Sequence, residues 1–291
     1  HHPAEFLAAM LNSQPLGFYS PSQLVQDARR HGVEVRAVDV MHSDIDCTLE
    51  DLVHEPAVRL GLRMITGFQT ASAQRVVDAR AQCPFDSAED LALRAGLERQ
   101  EMKRLAAADA LMSLSGHRRQ QVWDAAGLLA GPGILREAPI DEDLLELAPA
   151  AEGEEIMFDY ASIGLTLRRH PLSLLRERLA HRGMMTAEEL NTVGNGVQVS
   201  HCGIVTLRQQ PDTAKGTIFV SLEDETGVVQ VIVWKGLREL QRSELLASKL
   251  MAVHGIWQRE GEVKNLIASR LEDLTPLLGR LAKATESRDF R

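Results

Sequence analysis

The feature that most constrains this chain is the change from helix-like to strand-like sequence at Val197. Five runs rich in β-branched and aromatic residues follow over residues 197–274, with turn signals between them. One helical interval, KGLRELQRSELLA, separates the third run from the fourth. Short strands in this order predict a small five-stranded barrel, because closing such a sheet removes its unpaired edges.

This order, with a helix after the third strand, is that of an OB-fold barrel, which we expect over residues 197–275. Arg208, Lys215 and Thr217 fall on the loop and strand start where such barrels commonly meet single-stranded nucleic acid. We therefore interpret this basic, proline-containing loop as a contact with a nucleic-acid backbone.

Three aromatic residues of the barrel are open to two interpretations. Phe219 and Trp234 could be platforms on which bases stack, and Trp257 is similar. Large aromatic side chains also fill the interior of small barrels. We favour the core for Phe219 and Trp234.

Three consecutive acids, Glu223, Asp224 and Glu225, raise the question of a metal site. Adjacent side chains at a strand end alternate in direction, so these carboxylates diverge where a metal needs them to converge. They are followed by Thr226 and Gly227, residue types of a tight reversal. We favour a hairpin turn and predict no metal ligands here.

A glycine turn followed by an amphipathic helix occurs twice in residues 57–115. Gly67 and Gly96 lie 29 positions apart (96 minus 67), a spacing that indicates a paired helix–hairpin–helix module. Free N–H groups at a helix start bind phosphate oxygens whatever the base sequence. The alternative is that both glycines only start or end helices in an all-α domain. The candidate DNA contacts are Gly67, Phe68, Gln69, Thr70, Arg75, Gly96, Leu97, Arg99 and Lys103.

Charge is distributed unevenly along the chain. The formal net charge is -9, yet residues 57–122 hold ten Lys and Arg against seven acids. The excess of acid lies in residues 1–56 and 131–159. Because local fields steer a polyanion, the acidic total does not exclude DNA binding.

No catalytic constellation is present in the sequence. The ten His residues form no metal-binding pair, and neither a P-loop nor a G-x-S-x-G motif occurs. Three widely spaced cysteines fit a reducing compartment, and no apolar run approaches the roughly 20 residues of a membrane span. We expect a cytoplasmic location and no catalysis by this chain alone.

Several stretches resemble the bacterial C-family DNA polymerases, relatives of the polymerase III alpha subunit. LNSQPLGFYSPSQLVQDARRHGVEV is similar to the end of their fingers domain, and VRLGLRMITGFQTASAQRVV to their tandem helix–hairpin–helix segment. RQQPDTAKGTIFVSLEDETGVVQVIVW resembles the first half of their OB domain, and the ending RDFR resembles the error-prone, damage-induced branch.

The resemblance implies an α+β multidomain, C-terminal fragment of an error-prone DNA polymerase that serves translesion synthesis. The expected parts are a distal fingers segment (1–56), a tandem helix–hairpin–helix domain (57–130), an acidic linker (131–153), a helical connector (154–196), the OB-fold (197–275) and a tail (276–291). Catalysis and its Mg²⁺ would belong to a palm domain outside the chain. The two alternatives are a module that recruits translesion partners and an OB-fold protein that binds tRNA or acts in repair.

Two departures from the family pattern affect the expected partners, which are primer–template DNA and accessory translesion proteins. The first hairpin reads Gly67-Phe68-Gln69, without the second glycine that is usual in the family. The interval between hairpins and barrel lacks the Gln-plus-aromatic clamp peptide of the replicative relatives. We therefore expect contact with the sliding clamp to be indirect.

Overall fold

The structure is a computed structural model that describes residues 2–15, 19–51, 56–127, 147–211, 216–283 and 288–290. It divides into two compact units, His1–Leu167 and Arg168–Arg291. The division falls inside the helical connector that the sequence predicts at 154–196.

The first unit is mainly helical. Its helices are α1 (Pro3–Asn12), α2 (Pro21–Arg30), α3 (Thr70–Gln82), α4 (Ala88–Arg94), α5 (Arg99–Ala107), α6 (Met112–Ser115), α7 (Arg118–Gly127) and α8 (Glu152–Ile163), with a 3-10 turn at Leu62–Met64. A small sheet of β1 (Val35–Arg36), β2 (Thr48–Glu50) and β3 (Ala57–Arg59) precedes the hairpins. In it, β3 pairs parallel to β1 and antiparallel to β2.

One hydrophobic core runs through the first unit. It contains Leu7 and Leu11 of α1, Val76 of α3 and Leu105 of α5, and it extends to Leu165. The expected boundary between residues 56 and 57 therefore does not separate two cores. Of the expected acidic linker, residues 131–146 lie outside the described residues, and the last two, Glu152 and Gly153, begin α8.

The second unit is a barrel with helical additions. Its helices are α9 (Arg176–Ala180), α10 (Ala187–Thr192), α11 (Lys235–Leu240) and α12 (Arg242–Ala247), with 3-10 segments at Pro171–Leu174 and Thr275–Lys283. Its strands are β4 (Gln198–Gln209), β5 (Ile218–Glu223), β6 (Val228–Val233), β7 (Leu250–Glu260), β8 (Val263–Asp273) and β9 (Arg288–Phe290).

The five predicted strands close into a barrel in the order β5-β6-β8-β7-β4, and β4 pairs back with β5. Both helices between β6 and β7 fall in the predicted helical interval. Alternation explains the barrel core, since Val220, Leu222 and Val231 point inward with Trp257 and their strand neighbours point out. The five-stranded barrel is confirmed.

The expected tail is part of the second unit's structure. Leu278 and Leu281 in the 3-10 segment are buried. The short β9 adds to the sheet in parallel with β4, with Arg208 opposite Asp289. Residues 276–283 and 288–290 are therefore not a separate extension.

Candidate nucleic-acid interface

The first hairpin turn leads into α3, and its helix start is uncapped. Gly67 has φ of +71°, a left-handed conformation that favours glycine. Phe68 is buried in the core and holds the turn in place, while Gln69 and Thr70 are exposed. Gln69 is the N-cap residue but makes no side-chain cap, and the first turn of α3 carries no acid. Backbone N–H groups at such a start remain available to an anion.

The second hairpin turn has the same backbone but a different electrostatic character. Gly96 has φ of +57°, and the partly buried Leu97 packs on the core. At the start of α5, Glu98 is the N-cap residue, and the Glu101 carboxylate accepts from the Glu98 backbone N–H at 2.7 Å. These two carboxylates already occupy the positive end of α5, so the first turn is the better site for a phosphate.

Arg75, an expected DNA contact on α3 after the first turn, binds the second hairpin turn. Its Nε donates to the carbonyl of Ala95 at 2.8 Å, and its Nη2 lies 3.4 Å from the carbonyl of Gly96. Nη2 also lies 3.3 Å from a carboxylate oxygen of Glu101. This guanidinium therefore joins α3 to the second turn.

The positive charge that is free to attract DNA lies on α5. Arg99 donates to the carbonyl of Ala126, Arg104 donates to the carbonyl of Gly67 at 2.5 Å, and Lys103 is exposed. Among the described residues, these three have no carboxylate partner. The other seven arginines in residues 57–122 form ion pairs: Arg59, Arg63, Arg75, Arg80, Arg94, Arg118 and Arg119. Arg104 occupies the same place in its hairpin as Arg75.

Two predicted contacts of the barrel are buried. Arg208 is 5% exposed, its Nε donates to the carbonyl of Leu245 at 2.7 Å, and its Nη2 donates to the carbonyl of Ser248. It holds the end of α12 against the barrel and cannot reach a phosphate. Thr217 is also buried. Arg208 and Thr217 are therefore not part of the candidate interface, and Lys215 lies outside the described residues.

The aromatic residues divide in a way the sequence did not predict. Trp234 is 55% exposed, so the core interpretation is wrong for it. Phe219 is half-buried and points out of the barrel between Ile218 and Val220, both of which belong to the core. Trp257 fills the interior at 3% exposure. Trp234 and Phe219 are therefore placed where bases could stack on them.

Two basic side chains, Lys235 and Arg238, lie beside Gly216 and follow Trp234 in the chain. Arg238 Nη1 donates to the carbonyl of Gly216 at 3.1 Å, and the methylene stem of Lys235 lies beside this glycine. Lys235 and Trp234 are both exposed. The outer surface of the barrel thus combines an aromatic ring with two cations. The position of Trp234, directly after a strand and before a helix, is the sequence signal that could have indicated its exposure.

The predicted hairpin turn is present: Glu223 ends β5 opposite Val228, and Asp224 and Glu225 lie in the turn between the strands. Asp224 Oδ1 accepts from the backbone N–H groups of Thr226 and Gly227 at 2.8 and 2.9 Å, and Oδ2 accepts from that of Ala187 at 2.8 Å. Glu225 pairs with Arg176 through both carboxylate oxygens. The turn interpretation is confirmed. Within the described ranges, no group of three or more His, Cys, Asp and Glu is arranged to hold a metal ion.

Two reactive residue types of β4 are enclosed. Burial lowers the pKa of His201, whose Nδ1 lies 2.8 Å from the carbonyl of Met185. Burial raises the pKa of the Cys202 thiol to about 12. Both side chains are therefore uncharged near neutral pH and belong to the barrel's packing.

Comparison with known families identifies two nucleic-acid-binding classes in this geometry. A helix-hairpin-helix motif matches residues 32–121, and an OB-fold nucleic acid binding domain matches residues 199–274. The predicted α+β combination of these two folds is confirmed. None of the helices in the described ranges is long and apolar enough to cross a bilayer.

The chain is also similar over its whole length to error-prone DNA polymerases. It is 50% identical to the one from Methylococcus capsulatus, 53% to that of Ralstonia nicotianae and 53% to that of Azoarcus sp.. It spans 29%, 27% and 28% of these proteins, respectively. The resemblance found in the sequence is confirmed. A solved asparaginyl-tRNA synthetase from Pyrococcus horikoshii is more distant, at 20% identity over 31% of this chain and 23% of that one, with a TM-score of 0.28.

Proposed function

We propose that this chain is the DNA-binding part of an error-prone, translesion DNA polymerase. In this proposal the hairpins hold the duplex and the barrel holds the single-stranded template. The observation that carries it is that both nucleic-acid-binding domains occur in one chain that is similar throughout to error-prone polymerases. The alternatives left open by the sequence, a partner-recruiting module and an OB-fold protein for repair or tRNA, are outcomes of the test below.

The hairpins would contribute affinity and position without sequence preference. The uncapped start of α3, beside Gly67, offers backbone N–H groups to one phosphate. Lys103 and Arg99, exposed on α5, would add electrostatic attraction to the backbone. Gly96 and Leu97 would contribute mainly by shaping the second turn, since Glu98 and Glu101 repel an anion there.

The barrel would bind the template by stacking. Trp234 and Phe219 present aromatic surfaces on the outside of the barrel, and Lys235 and Arg238 lie next to Trp234. Aromatic rings beside cations suit single strands of any sequence, because every base has a face that can stack.

Nucleotide addition would take place outside this chain. The parent polymerase would use Mg²⁺ on palm-domain carboxylates, and this chain would hold the substrate for that chemistry. We further propose accessory translesion proteins as partners, indirect contact with the sliding clamp and a cytoplasmic location.

The test is fluorescence anisotropy of the 291-residue chain with labelled primer–template DNA over a series of salt concentrations. Phosphate contacts predict a steep loss of affinity with salt, with a log–log slope of about -0.9 for each contact. Binding that is weak and independent of salt would favour the partner-recruiting module. Equal or tighter binding to structured RNA would favour the tRNA or repair alternative.

A further inference from the structure

The two hairpins are related by a repeat that extends beyond the glycines. Gly67 and Gly96 have the same spacing as Arg75 and Arg104 and as the two N-cap residues, Gln69 and Glu98. Hydrophobic positions that are buried or partly buried follow the same register. The pairs are Phe68 with Leu97, Ala73 with Met102, and Val76 with Leu105.

Contacts between the repeats are reciprocal. Arg75, in the helix after the first turn, donates to the carbonyls of the second turn. Arg104, in the helix after the second turn, donates to the carbonyl of Gly67 in the first turn at 2.5 Å. Such exchange between equivalent positions is the signature of an approximate two-fold relation.

The centre of this relation lies at Ser72 and Glu101. These residues occupy equivalent positions, 29 apart, and the Ser72 hydroxyl donates to the Glu101 carboxylate. Equivalent residues touch each other only near the axis that relates two halves. Glu101 also lies 3.3 Å from Arg75 Nη2, so Ser72, Glu101 and Arg75 form one polar cluster near the axis.

We propose that Arg75 and Arg104 are reciprocal positioning residues that hold the two glycine turns at a fixed separation. Each turn has a glycine carbonyl facing a guanidinium from the other repeat, and each guanidinium is fixed by a packed helix. The turns therefore approach a duplex as one rigid pair. This inference rests on the proposed DNA binding, but it assigns Arg75 a role different from the direct phosphate contact that the sequence suggests.

The distinguishing property is the forked shape of arginine. Arg75 contacts Ala95 and Gly96 through two different nitrogens of one planar group. A lysine keeps the charge but offers a single ammonium that cannot reproduce this fork. Charge and geometry can therefore be separated by Arg75→Lys and Arg75→Gln.

The experiment compares these two variants with wild type in the full chain, by anisotropy with primer–template DNA. We expect both variants to bind roughly tenfold more weakly, the loss expected from one misplaced charge-assisted contact, with the salt slope of Arg75→Lys unchanged. Near-wild-type affinity for Arg75→Lys, together with a slope reduced by about 0.9 in Arg75→Gln, would overturn the proposal in favour of a direct phosphate contact.

Hydrogen exchange without DNA supplies a second readout. Arg75→Lys should accelerate exchange at the amides of residues 95–97, and Arg104→Gln should do so at residues 66–68, while exchange in the barrel is unchanged. Unaltered exchange at both turns would contradict the proposed positioning role of Arg75 and Arg104. If the variants exchange faster but neither they nor the wild type bind DNA, the positioning role of Arg75 and Arg104 would stand and the proposed function would be refuted.

Discussion

The two units, the first with the hairpins and the second with the barrel, both use arginine to bind backbone carbonyls, but they differ in how far these arginines are buried. In the hairpin unit, Arg75 and Arg104 reach from exposed helix faces to the carbonyls of neighbouring turns, and the charges of α5 remain open to solvent. In the barrel, Arg208 is enclosed, and the outer surface is formed instead by an aromatic ring with cations beside it. In the proposed function, the first arrangement would hold a duplex backbone and the second would hold unpaired bases.

The largest expected effect is a loss of stability on replacing Arg208, which tests whether this residue stabilises the barrel or contacts DNA. Arg208→Met removes the donors for Leu245 and Ser248 carbonyls, at a cost of about 1–3 kcal/mol in the free energy of unfolding for each buried group left unpaired. Urea unfolding followed by the fluorescence of the buried Trp257, with the other two tryptophans replaced by phenylalanine, measures it.

Lys103→Met is the control for Arg208→Met, since it removes an exposed cation and should leave that transition unchanged. If Arg208→Met unfolds like wild type but binds single strands more weakly, the sequence interpretation of Arg208 as a DNA contact would be correct after all.

The next effect concerns the aromatic surface. Trp234→Ala should weaken binding to single-stranded DNA by about 1–3 kcal/mol, the usual contribution of one stacked base. Trp123 in the first unit is a matched control, because it is 54% exposed against 55% for Trp234. An equal loss in Trp123→Ala, measured by the same anisotropy titration, would mean that the strand is not read by the barrel.

A smaller effect is expected from the open charge on α5. Lys103→Gln should reduce the magnitude of the salt slope for duplex binding by about 0.9, one phosphate contact. Gln74 occupies the equivalent position in the first repeat, so Gln74→Ala serves as the control and should leave the slope unchanged. Identical slopes for wild type and Lys103→Gln would remove Lys103 from the duplex contact.

The smallest expected effect is the pH dependence of stability that the Glu101 carboxylate causes between the two hairpins. Burial alone would raise the pKa of Glu101, but hydrogen bonds from Ser72 and the Glu98 amide, with the charge of Arg75, leave it below its ordinary value of 4.5. A carboxyl with a lowered folded pKa stabilises the fold above its unfolded pKa and loses that contribution as the pH falls through the folded value.

Thermal unfolding of wild type and Glu101→Gln between about pH 7 and pH 3 measures this contribution. Wild type should be the more stable at neutral pH, and the difference should narrow below pH 4.5. A difference that is constant across this range would show that ionisation of Glu101 does not contribute.

Local patterns predicted the barrel and the hairpins well, because alternation and glycine turns are encoded by neighbouring residues. The burial of Arg208 could not be predicted from local patterns, because the carbonyls that it binds lie 37 and 40 positions later in the chain. The size of Trp234 favours a place in the core, but Trp257 is the tryptophan that fills the barrel interior. The sequence predicts Arg75 as a DNA contact, because the turn that it binds lies 20 positions away and is brought close only by the fold.

The carboxylate of Asp224 has a consequence for how this chain can vary. Surface hairpins usually tolerate added residues, because a longer loop costs little chain entropy. Here one buried side chain both closes the turn and holds the first residue of α10, Ala187. Lengthening this reversal would therefore detach a helix as well as a turn, so it is a poor site for insertions or fusion tags.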